Sequence, residues 1–184
     1  MTWIDWFPIV LIVAYGVGGF FSGLIRRFLG LVALFVAVWA ATNLGLQTGL
    51  ILQQTSNMEV PDGRIYGFFG IIVFLLLLVE AATQIAHKQI QIPAIVLNRT
   101  LGTVLGLMTA ILLSVVVVYE LGLAANPIGG GQLDATQQNL RDSVHQSAFM
   151  VGLVNAIDRP IIALFQPLLP GDPQIYFGPN PVNP

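Results

Sequence analysis

Glu80 is the residue whose type and setting most suggest chemistry. It interrupts an apolar stretch, and Thr83, Gln84 and His87 follow at i+3, i+4 and i+7. That spacing puts all four on one helix face. A carboxylate in such a polar stripe could pass a proton or an ion. A charge at a bilayer centre costs about 2.5–3.5 kcal/mol on insertion scales. The same group could therefore be an interfacial carboxyl, or one paired with Lys88, Arg99 or Arg26. Either of these, a carboxyl near the interface that stays protonated or a paired one, is a stronger expectation than a relay, because the other apolar stretches supply almost no polar groups for a pathway.

Little else has the makings of a catalytic site. There are no cysteines, which removes disulfides, thiolate metal sites and cysteine nucleophiles. No HExxH, P-loop, GxGxxG or hydrolase triad occurs. Ser114 lies in mid-stretch, where serine usually bonds its own helix backbone. His87 and His145 fall on opposite sides of the membrane in the topology below, so they share no metal. Asp5 suits the positive end of a first helical turn and Glu120 a headgroup region; both read as interfacial. Neither a cofactor nor enzymatic activity is expected.

The elements that must position these residues are membrane helices. Of 184 residues, 55% are hydrophobic and 9% charged, and mean hydropathy is +0.81. A soluble domain carries roughly a quarter charged residues. The formal net charge of −2 offers no surface for a nucleic acid. Four stretches meet the length of about 20 apolar residues that a crossing needs: Phe7–Ile25, Phe28–Leu46, Ile65–Ala86 and Thr100–Tyr119. Each must be helical, since a lone strand in lipid leaves its backbone unpaired. Asp5 stands where a signal peptide would be basic, so the first stretch is expected to remain as a span.

Arg26-Arg27 reads as a tight hairpin between the first two spans, and Pro61-Asp62-Gly63 as a turn before the third. The expected fold is all-α, with a four-helix transmembrane domain over residues 1–125. An extramembrane amphipathic helix follows over 126–169, then a Pro/Gly-rich extended tail over 170–184. From Asp134 to Leu168, apolar residues recur at spacings of three and four, with a kink expected near Arg159-Pro160. In the tail, Ile175, Tyr176 and Phe177 form an apolar group among prolines, suited to contact with a partner protein. Arg26, Arg27, Lys88 and Arg99 share one side against Arg64 near the other. By the positive-inside rule, both termini are expected outside the cytoplasm.

Small residues recur at i, i+4 in Gly19/Gly23, Gly102/Gly106 and Gly45/Gly49. Such pairs let helix backbones approach closely. Packing within the four-helix unit is the first expectation and a dimer face the second.

Several motifs taken together resemble the colicin V production (CvpA) family of bacterial membrane proteins. The opening Met1-Thr2-Trp3-Ile4-Asp5-Trp6 resembles that family's start. Ser22-Gly23-Leu24-Ile25-Arg26-Arg27 resembles its Arg-Gly-x-x-Arg-Glu turn, with Gly23 and Arg26 matching and Ser22 and Arg27 departing. Asn98-Arg99-Thr100-Leu101-Gly102-Thr103-Val104-Leu105-Gly106 resembles its Asp-Arg-x-x-Gly-x-x-x-Gly segment, with Asn98 in place of the acid. The stretch around Ser147-Ala148 resembles a small-residue segment after the last helix. The resemblance implies a four-helix protein of the bacterial inner membrane linked to toxin production or the envelope. Its altered charges leave Arg26 without a carboxylate at 27 or 98. Two function classes follow. One is a structural or accessory protein in contact with lipid and other membrane subunits. The other is a small transporter or channel using Glu80.

Overall fold

The structure is a computed structural model that describes residues 2–56, 60–87, 95–125 and 132–166. Ile175, Tyr176, Phe177 and Lys88 lie outside the described residues, as do the side chains of Gln84 and His87. Every described element is an α-helix: α1 (Trp3–Ser56), α2 (Val60–His87), α3 (Ile95–Ala124), α4 (Ala135–His145) and α5 (Ala148–Phe165). Among the described residues, three apolar stretches are long enough to cross a membrane: Trp3–Gly45, Ile65–Thr83 and Ile95–Gly122. The pair Ala148–Ile157 and Arg159–Phe165 is a further candidate, as a broken span or a re-entrant loop. The chain is thus a multi-pass helical membrane protein.

The first of these stretches holds 43 residues, about 65 Å if straight, or roughly twice a hydrocarbon core. It is not straight. Gly23 has φ 77° and ψ 179° and interrupts the helix. This backbone region is essentially reserved for glycine. We term residues 3–22 α1a and residues 24–56 α1b. The turn expected at Arg26-Arg27 therefore falls earlier, at Gly23, and both arginines lie inside α1b. The guanidinium of Arg27 folds back over Tyr15 of α1a, 5.2 Å from its ring centroid.

α3 is the central helix. Of its membrane window 61% is buried, against 22% for α1 and 17% for α2. Small residues make this possible. A Cβ added at Gly102 would lie 2.5 Å from the carbonyl oxygen of Gly19, and one at Gly106 would collide with the Tyr15 carbonyl. α1a and α3 therefore meet backbone to backbone and run antiparallel. The third glycine pair serves α1b in the same way: a Cβ at Gly67 would lie 2.5 Å from the Gly45 oxygen and 2.8 Å from the Gly49 nitrogen. Intramolecular packing is thus what these glycines do. Pro61-Asp62-Gly63 is not a turn but the first turn of α2, where a proline's missing N–H costs nothing.

The C-terminal segment departs from a single surface helix. α4 begins at Asp134, whose carboxylate accepts the Gln137 N–H while the Gln137 side chain accepts the Asp134 N–H. This capping box marks the expected start. The helix then ends at His145, and α5 restarts behind Ser147, whose hydroxyl accepts the Met150 N–H. Residues 148–157 and 159–165 are bent by 61°, beside Pro160, which cannot bond the carbonyl four residues back. Met150, Val154, Ile161 and Phe165 are buried in the core shared with the spans. The Phe165 ring lies 4.9 Å from that of Phe35. α5 is thus packed into the bundle along one face.

Candidate functional site

Two polar clusters lie at opposite ends of the bundle, which antiparallel packing of α1a on α3 separates by nearly the length of a span. One surrounds Gly23. The break in α1 leaves backbone N–H groups without helical partners, and the side chain of Asn98, on α3, supplies one. Its Oδ1 accepts the Leu24 N–H at 2.7 Å. A Cβ at Gly23 would lie 2.6 Å from the Asn98 Nδ2, so the glycine also makes room for this bond. Asn98 replaces the expected acid and still serves the turn with a neutral acceptor.

Arg26 projects from the first turn of α1b and forms an ion pair with Glu80 on α2. Arg26 is the more covered partner, with 18% of its side chain exposed against 42% for Glu80. The pairing was one of three offered by the sequence, and it gives Arg26 the carboxylate absent at 27 and 98. Thr83 is buried and donates to the Glu80 carbonyl at 2.9 Å. Glu80 and Thr83 therefore make contacts within this corner.

Arg27 takes neutral partners. Its Nε donates to the Ser22 hydroxyl at 2.9 Å, and that hydroxyl donates to the Gly18 carbonyl at 2.6 Å. Ser22 and Arg27, the two departures from the motif, thus bond to each other. Arg99 is exposed and lies 5.2 Å from the Phe20 ring centroid.

The second cluster is one that the sequence reading misplaced. Asp5 is not an exposed interfacial group; it is fully buried. One oxygen accepts the Ser147 hydroxyl at 2.5 Å and the Phe149 N–H at 3.1 Å. The other accepts the Thr2 N–H at 2.8 Å. The Thr2 hydroxyl reaches the Ser143 carbonyl at 3.2 Å. Asp5 thereby caps its own helix and ties the start of α5 to α1a, 142 residues away in sequence. Only the small-residue stretch at Ser147-Ala148 hinted at the second partner. Glu120 is likewise buried rather than interfacial.

Within the membrane windows, hydroxyls turn inward on their own helices. Thr109 bonds the Leu105 carbonyl and Ser114 the Ala110 carbonyl. No group of three potential metal-ligating carboxylates and histidines occurs among the described residues.

A polytopic helical bundle built on small-residue packing, with a glycine turn and a basic corner, is the class these features define. The family described as colicin V production protein matches residues 4–157. The chain belongs to that family. Neither a curated protein nor a solved structure matches it.

Proposed function

We propose that this protein is a non-enzymatic structural or accessory component of the bacterial inner membrane, acting with other membrane subunits in envelope or toxin-export processes. Its polar residues supply the supporting observation. Asp5, Asn98, Ser22, Arg26 and Glu80 are all spent on bonds that join helices or hold the Gly23 turn. A pore or relay needs a continuous polar path over more than one helix. A scaffold needs its polar groups satisfied internally.

In this reading α1a and α1b are separate crossings, and with α2 and α3 they make four. α5 dips into the bundle from the side that carries Asp5. Arg26, Arg27 and Arg99 gather at the other end, which the positive-inside rule assigns to the cytoplasm. Both termini then face away from the cytoplasm.

Purification from native membrane in mild detergent, with identification of stoichiometric companions, tests the role. The expected result is a reproducible membrane-protein partner. Isolation of the chain alone, combined with proton or ion flux in liposomes that Glu80→Gln abolishes, would favour the transporter reading instead.

A further inference from the structure

A groove of about 570 Å3 runs along the bundle between α1a and α2, with α3 as its floor. Phe7, Leu11 and Tyr15 form one wall, Ile72 and Leu76 the other, and Val117 lies beneath. The lining is apolar and aromatic over its whole length. It extends from Trp3 at one end of the bundle to Tyr15 toward the basic corner. Its volume falls in the range of sites that enclose a small ligand. Its shape and lining suit a hydrocarbon chain.

What distinguishes this groove from ordinary lipid-facing surface is the cation that stacks on its Tyr15 wall. An arginine near the end of a membrane helix normally extends toward water. Arg27 does the reverse. It is folded back along α1a, over Gly18 and onto the ring of Tyr15, one of the residues that line the groove. Arg26 next to it is neutralised by Glu80. Arg27 bonds the Ser22 hydroxyl and rests on the Tyr15 ring, and the charge of Glu80 acts on both Arg27 and Tyr15 from beyond ion-pair distance. An apolar groove beside a corner that carries Arg26 and Arg27 against the carboxylate of Glu80 complements an amphiphile with an anionic head and an aliphatic tail. Arginine is also the side chain whose fork fits phosphate oxygens.

We propose that this groove is a binding site for an anionic phospholipid of the surrounding membrane, its phosphate held by Arg27 and one acyl chain lying between α1a and α2. The site goes beyond the accessory role and depends only on insertion of the bundle in a membrane. Anionic lipids are attracted to basic pockets between helices on the cytoplasmic side, the side to which this corner is assigned.

The test uses the full-length protein in mixed micelles containing equal amounts of phosphatidylglycerol and phosphatidylcholine with identical acyl chains. Retained lipid is counted by native mass spectrometry. The wild type should retain phosphatidylglycerol about fivefold over phosphatidylcholine, the scale of one basic side chain at a membrane surface. Arg27→Gln should bring the two lipids to parity. Arg27→Lys, which keeps the charge, and Arg99→Gln, which is outside the groove, should preserve the preference. Val73→Trp, which projects into the groove from a lining position, should lower retention of both lipids. Parity in the wild type, or an unchanged preference in Arg27→Gln, would overturn the proposal. So would loss of the preference in Arg27→Lys, or a lipid complement indifferent to Val73→Trp. A protein companion occupying the groove in place of lipid would also refute it.

Discussion

The two ends of the bundle solve the same problem with different chemistry. At one end, the single carboxylate of Asp5 is buried, and neutral donors from Thr2, Ser147 and Phe149 satisfy it at 2.5–3.1 Å. At the other end, Asn98 satisfies the Gly23 turn, Arg26 pairs with a half-covered Glu80, and Arg27 rests on a ring and a hydroxyl. The Asp5 cluster closes a junction with its carboxylate buried. The Gly23 cluster keeps cationic character. The difference separates a structural fastening from a surface able to interact. In a low-dielectric setting, a fully bonded polar cluster fixes a unique arrangement, while a partly exposed ion pair contributes little to stability.

This contrast can be broken by substitution. The largest effect belongs to the glycine contacts that both ends depend on. Gly102→Leu should cost about 3 kcal/mol or more, since backbone on both helices must move. It should appear as loss of monodisperse protein in detergent. Gly30→Leu, at a position with nothing within 4 Å, should elute as wild type.

Next comes the Asp5 cluster. Asp5→Ala strands three donors, and a buried unsatisfied group costs about 1–3 kcal/mol. Thermal unfolding in detergent should show a clear loss of stability, and limited proteolysis should release α4 and α5 first. If Asp5→Ala melts as wild type, the buried bonds are not what fastens α5.

Asn98→Ala is smaller, roughly 1 kcal/mol for one lost bond to a backbone N–H. Asn98→Asp restores the acid of the family motif and keeps the acceptor. It should therefore recover the stability that alanine loses.

The smallest effect is expected at Glu80. Glu80→Gln removes a partly exposed pair worth about 0–1 kcal/mol. It should change neither folding nor partner recovery measurably. A large loss of stability would mean that the Arg26–Glu80 pair is as structural as the Asp5 cluster.

The parts of this picture that were legible in the sequence are those with local signals. The apolar stretches, the i, i+4 glycines and the bend near Pro160 each rest on residues a few positions apart. For Glu80 the sequence left both a protonated interfacial carboxyl and a pair open, with Arg26 among the three partners named. The Asp5–Ser147 bond was not legible, because a carboxylate in a first helical turn has a sufficient local explanation in the helix dipole. Nothing near Asp5 announces a serine 142 residues away. The turn was misplaced for a related reason. Two adjacent arginines are a conspicuous interruption, whereas Gly23 reads in the sequence as a packing glycine and a motif match, and its positive φ belongs to the fold. The break before α5 was hidden because the apolar spacing continues across it.

The account rests on α1 turning back at Gly23, which puts Asp5 and the end of α1b on one side and the arginines on the other. Because the chain has no native cysteine, single cysteines report this directly. Trp3→Cys, Thr55→Cys and Ile95→Cys would be exposed in spheroplasts to a membrane-impermeant maleimide. Trp3→Cys and Thr55→Cys should label in intact spheroplasts, and Ile95→Cys only after lysis. Labelling of Trp3→Cys and Thr55→Cys from opposite sides would mean that α1 crosses once, and would contradict the account.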